Sequence, residues 1–483
     1  MSSVIPICVA YGDGIGPEIM QQIIHILKEV EAPLRIETIE IGESIYKRNY
    51  SSGIADNSWE VLSRTKCLLK APITTPQGGG YKSLNVTLRK RLGLFANIRP
   101  SKAYFPFVKT NYPNMDLVII RENEEDLYTG IEYRQTFNTY QSLKIITESG
   151  SRRIAEFAFD FAKKNARKKV SCFSKDNIMK FTDGIFHKAF DIIAQKNLDI
   201  ESNHYIVDIG TARLANSPEL FDIIVTSNLY GDIISDVASE ISGSVGMSGS
   251  ANIGLNYAMF EAVHGSAPDI AGKNIANPSG LLNAAIMMLV HLGCYNEANL
   301  VENAWKKTLE DGFHTADIYN KDISHEKVGT KEFGQRIIQN LGKKPSQLKE
   351  ACYKETISEK LNYINDVKID NEEKKLIGVD IYIDFPTDSP ASIAKLVEEI
   401  NSNNYQLQFI STKGLKVWPL DEVQLFESEH WCLRIVRIEE YQFSHQDIAQ
   451  ILELLSKKNI DFIKIENLYN FGNERGYSLA QGE

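Results

Sequence analysis

The sequence lacks the features that mark membrane, secreted and nucleic-acid-binding proteins. None of its apolar runs approaches the roughly 18 residues of a membrane span, and residues 1–10 do not have the charged-then-apolar pattern of a signal peptide. The six cysteines are scattered without a Cys-x-x-Cys pair, which predicts reduced thiols in a cytoplasmic protein. A formal net charge of −10 argues against non-specific nucleic-acid binding. We therefore expect neither a membrane nor a nucleic acid as partner.

The order of apolar segments predicts an α/β core followed by a smaller domain. At 483 residues the chain is long enough for two or three domains. Short apolar runs alternate with helical patterns in the first third, which favours a mostly parallel sheet. Residues 342–375 are polar and predict a linker with one amphipathic helix. Residues 376–483 follow the order β-α-β-β-α-β, which predicts a ferredoxin-like α+β domain.

Residues 74–100 carry the densest group of candidate binding residues. A triple glycine at 78–80 leads to Ser83, which is placed to cap a helix. Asn85 and Arg89 are four residues apart, so their polar ends can reach one ligand, and Arg99 follows just after the helix. A hydroxyl, an amide and two guanidinium groups suit a small ligand with several carboxylates. The alternative interpretation is an amphipathic helix with a solvated basic edge.

Three other segments carry weaker signals when each is taken alone. Asp232 and Asp236 share a helix face and suit Mg²⁺ or Mn²⁺, although acids near a helix start also complement its dipole. The glycines of segment 12–18 are spaced G-x-G-x-G, unlike the dinucleotide-binding G-x-G-x-x-G. His264 lies in a loop of small residues that allows close approach of a flat ligand, but a lone histidine is more often structural.

Six segments in order resemble the isocitrate and isopropylmalate family of β-decarboxylating dehydrogenases, and within it the long bacterial isocitrate dehydrogenases. They are GDGIGPE, TTPQGGGYKSLNVTLR, RENEEDLYTGIEY, FSKDNIMKFTDG, NLYGDIISD and HGSAPDIAG, and the resemblance covers about residues 4–340. It implies the isopropylmalate dehydrogenase-like α/β fold and not the Rossmann fold. The implied domains are a large cofactor-binding domain (residues 1–105 and 262–341), a small domain with the metal site (106–261) and a dimer arm at about 131–147.

The resemblance also implies an active site and a reaction. The reaction is oxidative decarboxylation of isocitrate to 2-oxoglutarate and CO₂, a step of the tricarboxylic acid cycle. The implied residues are Tyr128 and Lys175 for catalysis; Ser83, Asn85, Arg89, Arg99 and Arg121 for substrate; Asp208, Asp232 and Asp236 for Mg²⁺ or Mn²⁺; and Thr74, His264, Gly265, Ser266, Ala267, Asp269, Ile270 and Asn277 for the cofactor. Family members are homodimers with shared sites, so Lys175 and Asp208 are expected to come from the partner subunit.

The cofactor prediction rests on one departure from the family pattern. NADP-dependent members of this type have Lys-Tyr where this chain has Asp269 and Ile270, and Tyr and Arg where it has Ala316 and Asn320. A carboxylate accepts a hydrogen bond from a ribose 2′-hydroxyl but repels a 2′-phosphate. The sequence therefore predicts NAD, with NADP as the alternative. 3-Isopropylmalate or homoisocitrate dehydrogenase is the alternative activity, and an effector-binding role for residues 376–483 stays open.

Overall fold

Two compact units make up the chain. The computed structural model describes residues 4–50, 52–75, 83–355, 372–387, 389–420 and 428–483. One unit contains residues 1–129 and 144–365, and the other contains 130–143 and 366–483. The predicted glycine loop at 78–80 and residues 356–371 of the predicted linker, with any helix there, lie outside the described residues. Residues 342–355 contain no helix. The further division of the first unit at residues 105/106 and 261/262 stays a prediction.

The strands and helices alternate along most of the first unit, as the apolar runs predict. The strands are β1 Ile5–Ala10, β2 Leu34–Ile39, β3 Cys67–Lys70, β4 Ala96–Lys102, β5 Asp116–Glu122, β6 Glu132–Arg134, β7 Tyr140–Ser142, β8 Lys169–Ser174, β9 Glu201–Ile206, β10 Ile223–Thr226, β11 Gly249–Ile253, β12 Ala258–Ala262, β13 Phe313–His314, β14 Glu326–Lys327, β15 Lys374–Thr387, β16 Tyr405–Thr412, β17 Leu415–Trp418, β18 Ser428–Arg437, β19 Asp461–Phe471 and β20 Glu474–Arg475. The helices are α1 Gly16–Glu29, α2 Glu43–Tyr46, α3 Asp56–Thr65, α4 Leu84–Arg91, α5 Glu148–Lys164, α6 Thr182–Ala194, α7 Val207–Asn216, α8 Asn228–Ile241, α9 Ser279–His291, α10 Tyr295–Glu310, α11 Thr330–Gln339, α12 Pro390–Leu396 and α13 His445–Lys457. No helix in the described part of the chain has both the length and the apolarity needed to cross a membrane.

A ten-stranded sheet organises the first unit. Its order is β2-β1-β3-β12-β11-β4-β5-β10-β8-β9. Strands β2, β1, β3 and β12 run parallel to one another, and so do β5, β10, β8 and β9. Between these two groups, β11 and β4 pair antiparallel with each other and with the flanking strands β12 and β5. Every residue of β3 and of β10 is buried, as expected for strands with both faces covered. The predicted α/β class is confirmed, and the antiparallel centre distinguishes the sheet from a doubly wound Rossmann sheet.

The centre of this sheet places charged side chains on one face. Asn97 of β4 lies opposite Arg121 of β5, so Arg99, two residues further along β4, shares that face. Thr226, at the end of β10, lies beside Arg121, and α8 begins two residues later. A Cβ on Gly231 of α8 would lie 2.6 Å from Cγ of Arg121. Glycine at this position therefore lets the Arg121 side chain lie across the helix.

The second unit is built on a six-stranded antiparallel sheet. Its order is β17-β16-β18-β15-β19-β20, and the central four strands with α12 and α13 form the predicted ferredoxin-like arrangement. Helix α12 ends at Leu396, and a 3₁₀ turn, Glu398–Ile400, follows it. The hairpin of β6 and β7 belongs to this unit, where the backbone N–H of Asn138 donates to Glu429 at 2.6 Å.

A buried arginine anchors the last residues of the second unit. Arg434 of β18 is 6% exposed and donates to both carboxylate oxygens of Asp380, at 2.8 and 2.7 Å. Its remaining nitrogen donates to Glu483 at 3.1 Å, and the guanidinium lies 4.9 Å from the ring centres of Phe409 and Tyr477. This one side chain therefore joins two strands to the chain end.

Candidate active site

A cavity of about 240 Å³ in the first unit collects most of the predicted substrate residues. Its polar lining consists of Lys70, Ser83, Asn85, Arg89, Arg99, Tyr128, Asp232, Asp236, Glu261 and His264. These side chains come from β3, β4 and β12, from α4 and α8, and from the loops beside them. Arg121 is fully buried and reaches the same group through its contacts with Asp232 and Tyr128. Segments separated by up to about 190 residues therefore converge on one polar cavity.

Asp232 is the centre of the charged contacts. One of its oxygens accepts a hydrogen bond from Arg121 and forms an ion pair with Arg99 at 3.1 Å, and the other accepts from the hydroxyl of Tyr128. Asp236, one helical turn further, is mostly exposed, and its one ion pair within the described part of the chain is with Arg99 at 3.4 Å. The guanidinium of Arg121 also lies 4.7 Å from the Tyr128 ring centre. Two arginines, two carboxylates and one phenol are thus held within contact distance.

Burial and mutual repulsion shift the pKa values of this group. Burial lowers the pKa of Arg121 to about 10, with the charges of Arg99 and Arg89 acting in the same direction. Burial would raise the pKa of Asp232, but Arg121 and Arg99 outweigh it and lower that pKa. Burial raises the pKa of Asp236 and also that of Tyr128. Tyr128 is therefore a protonated phenol beside an ionised carboxylate at neutral pH.

A buried pair that the sequence analysis missed forms another wall of the cavity. Glu261 is 4% exposed and contacts the ammonium of Lys70 at 2.7 Å and the guanidinium of Arg89 at 3.1 Å. Asn252 also donates to Glu261 at 2.9 Å. The only sequence signal for Lys70 and Glu261 is that each is a charged residue near the end of an apolar strand. Their pairing fixes the position of Arg89.

The start of α4 presents uncommitted polar groups to the cavity. Ser83 occupies the N-cap position, but its side chain accepts no hydrogen bond from the helix, contrary to the prediction that it caps α4. The carbonyl oxygen of Asn85 is buried without a hydrogen-bond partner among the described residues. Because a buried polar atom without a partner is costly, this oxygen indicates a place for a ligand or water.

The G-x-G-x-G segment contacts the loop that contains His264. The backbone N–H of Ile15 donates to the carbonyl of Ser266 at 2.9 Å, and a Cβ on Gly14 would lie 2.0 Å from that oxygen. Thr74 contacts Ser266 through their hydroxyls at 2.8 Å. The unusual glycine spacing is therefore explained by close packing of two loops.

A second cavity of about 620 Å³ adjoins the first and shares His264 and Gly265 with it. Of the other predicted cofactor residues, Ala267, Ile270 and Asn277 line it. The described residues that line this second cavity do not include Thr74, Ser266 or Asp269, and Asp269 is exposed. Ser244 and Asp317 also line it and were missed, because their hydrogen bond of 2.7 Å joins distant segments. This cavity is largely apolar, which suits an aromatic ring system.

Lys175 and Asp208 are separated from these cavities. Their side chains pair with each other at 2.9 Å, and neither is among the described residues that line the first cavity. Asp208 is largely exposed, and the Lys175 pair lowers the pKa of Asp208. Within one chain, the structure thus brings together Asp232 and Asp236 but not Asp208.

An arginine-rich cavity with two aspartates, next to a larger apolar cavity, is an arrangement suited to a dehydrogenase of small anionic acids. The chain belongs to the isocitrate/isopropylmalate dehydrogenase family, whose model matches residues 6–337. Residues 374–483 match the C-terminal domain of bacterial isocitrate dehydrogenases.

Full-length relatives extend this assignment to both units. The chain is 61% identical to isocitrate dehydrogenase [NADP] of Rickettsia bellii, over 100% of both chains. It is 39% identical to isocitrate dehydrogenase [NADP] of Thermus thermophilus, over 99% of this chain and 96% of the relative. A crystal structure of a Thermus thermophilus protein superposes with a TM-score of 0.90 at 38% identity, covering 99% of this chain and 96% of that one.

Proposed function

We propose that this protein catalyses the oxidative decarboxylation of isocitrate with NADP and a divalent cation. The observation that carries the proposal is the charge balance of the first cavity together with Arg121, which is buried against its lining residue Asp232. The group contains four cations, Lys70, Arg89, Arg99 and Arg121, and three carboxylates, Asp232, Asp236 and Glu261. This group therefore has one excess positive charge. A tricarboxylate and a divalent cation that bind together carry a net charge of −1, which neutralises that excess.

Two carboxylates one turn apart on α8 fit a divalent cation. Asp232 and Asp236 offer hard oxygen donors of the kind that Mg²⁺ and Mn²⁺ prefer, and Asp236 is mostly exposed with one weak contact. When bound, such a cation would polarise the hydroxyl and carboxylate of the substrate and stabilise negative charge during loss of CO₂. Asp208 of a second copy would complete the set, as the family resemblance implies.

The chain's own residues would hold the substrate and move protons. Arg89, Arg99 and Arg121 are buried and preorganised by carboxylates, from which they can turn toward the carboxylates of the substrate. Tyr128, a protonated phenol at the cavity wall, would donate its proton to the carbon that loses CO₂. Lys175 of a second copy would accept the proton of the substrate hydroxyl.

Ser83 and Asn85 support isocitrate over 3-isopropylmalate as substrate. Both line the cavity, where the Ser83 hydroxyl and the Asn85 amide N–H would donate to a third carboxylate and the unpartnered Asn85 oxygen would accept from a water bound to it. An isopropyl group would leave these polar groups unpaired, which is unfavourable. We expect Asn85→Leu to lower kcat/KM for isocitrate by at least about tenfold without changing Mn²⁺ affinity, measured by initial rates and calorimetry. An equal loss of kcat/KM and of Mn²⁺ affinity would contradict a role of Asn85 in substrate binding.

NADP is proposed because the relatives with full-length similarity are named as NADP enzymes. They do not support the NAD prediction drawn from Asp269 and Ile270. That prediction rested on Asp269, which is exposed, and on Ile270, which lines the second cavity. Initial rates with each cofactor test the proposal: kcat/KM should favour NADP by at least about tenfold. A preference for NAD would restore the original prediction.

A shared site between two copies is proposed from the pairing of Lys175 with Asp208 outside the cavity. The test mixes two inactive variants, Tyr128→Phe and Lys175→Met, after joint unfolding and refolding. If each site takes Tyr128 from one chain and Lys175 from the other, mixed dimers regain one intact site. We expect about half of the chains to enter mixed dimers and about a quarter of wild-type activity to return. No recovery in verified mixed dimers would contradict the shared site.

A further inference from the structure

A buried charge cluster lies between the two segments that carry Tyr128 and Lys175. Its members are Lys144, Asp126 and Asp183, whose side chains are 12%, 1% and 2% exposed. The ammonium of Lys144 lies 2.5 Å from one oxygen of Asp183 and 3.7 Å from one oxygen of Asp126. Neither carboxylate has another lysine or arginine contact among the described residues. One cation therefore contacts two buried acids.

Each aspartate of the cluster also holds a backbone segment of the site. The second oxygen of Asp183 accepts the backbone N–H of Lys175 at 2.6 Å. The second oxygen of Asp126 accepts the backbone N–H of Leu229, in the first turn of α8, at 2.9 Å. Carboxylates in such contacts with backbone N–H groups form strong, oriented hydrogen bonds.

Asp126 in addition sets the turn that carries Tyr128. Its φ is 68°, a left-handed conformation that a non-glycine residue keeps only when its surroundings enforce it. The 3₁₀ turn Leu127–Thr129 follows directly, and the N–H of Thr129 donates to the Asp126 carbonyl at 3.2 Å. The Asp126 N–H donates to the carbonyl of Ile145, the residue after Lys144, at 2.8 Å. The conformation of this turn is thus tied to Lys144 through both backbone and side chain.

We infer that Lys144 is a positioning residue that fixes, through Asp126 and Asp183, both the Tyr128 turn and the Lys175 strand end. The inference rests on the proposed function for the roles of Tyr128 and Lys175. Lys144 is not one of the described residues that line the first cavity, and it contacts none of Arg89, Arg99 and Arg121. Loss of the Lys144 ammonium should therefore impair proton transfer without weakening substrate binding.

The test compares Lys144→Met with a matched control. We expect Lys144→Met to lower kcat by at least about tenfold, because small displacements of reacting groups are costly, while KM for isocitrate changes less than about threefold. Lys144→Arg, which keeps the charge, should restore most of kcat. The control is Lys306→Met, which removes another buried lysine, paired with Glu302 at 2.6 Å; it should lose stability but keep kcat.

Hydrogen exchange separates this inference from the proposed function. In Lys144→Met, backbone exchange should accelerate at both 126–130 and 175–179, and Lys306→Met should leave both segments unchanged. If wild type does not oxidise isocitrate but exchange responds at both segments, the proposed function fails and the positioning cluster stands. If wild type is active but kcat of Lys144→Met stays within about twofold, the inference is overturned. Should Lys144→Met not fold, Asp126→Asn carries the same two measurements, because its amide oxygen still accepts the Leu229 N–H.

Discussion

Replacement of Glu261 by glutamine tests whether its buried ion pairs hold the cavity together. The carboxylate is 4% exposed and forms ion pairs with two cations, Lys70 at 1% and Arg89 at 7% exposure. Glutamine keeps the shape and the contact with Asn252 but leaves two buried positive charges facing each other. Breaking a buried pair from one side costs about 3–5 kcal/mol, so we expect the free energy of unfolding to fall by this amount.

Urea denaturation at several pH values measures this loss. Burial opposes ionisation of Glu261, but Lys70 and Arg89 outweigh it and hold the Glu261 pKa well below its ordinary value of 4.5. A lowered pKa in the folded state contributes stability above the unfolded pKa and loses it as pH falls. The difference in the free energy of unfolding between wild type and Glu261→Gln should therefore be constant above about pH 5 and should decrease as the pH falls below about 4.5.

A double variant provides the control. Lys70→Met combined with Glu261→Gln removes one charge of each sign, so it should recover at least about 2 kcal/mol relative to Glu261→Gln alone. A loss below about 1 kcal/mol in Glu261→Gln, or no recovery in the double variant, would refute the reasoning.

Two further substitutions test close contacts in the two units. Gly231→Ala places a methyl group 2.6 Å from the Arg121 side chain, so we expect about 1–3 kcal/mol of destabilisation and a higher KM for isocitrate. Gly184→Ala is the matched control, because a Cβ on this helical glycine would have no neighbour within 4 Å, and it should leave KM unchanged. Equal KM values in the two variants would contradict the importance of the Gly231–Arg121 contact. Arg434→Met removes the cation that pairs with Asp380 and Glu483. Hydrogen exchange across residues 476–483, measured by mass spectrometry, should therefore accelerate. Unchanged exchange would show that Arg434 does not anchor these residues.

The parts of the site that follow from local spacing could be predicted from the sequence. Asp232 and Asp236 lie one turn apart on α8, and Asn85 and Arg89 one turn apart on α4, so each pair shares a helix face in any fold. The alternation of strands and helices likewise predicted the α/β class and the ferredoxin-like second unit.

The parts that depend on strand neighbours could not be predicted. Lys70 and Glu261 face each other because β3 and β12 are adjacent and in register, although they are almost 200 residues apart in sequence. No periodicity reveals which strands adjoin. The NAD prediction from Asp269 gained no support from the relatives, because a loop motif does not show where its side chains lie relative to a bound cofactor.

The rate of isocitrate oxidation by the purified full-length chain tests the central claim most directly. Initial rates of NADPH formation would be measured with Mn²⁺ on isocitrate and on 3-isopropylmalate, with a chelator as the metal-free control. The arginine cavity and the polar groups of Ser83 and Asn85 predict that kcat/KM favours isocitrate by at least about a hundredfold and that the chelator abolishes the rate. Equal or better use of 3-isopropylmalate would contradict the account.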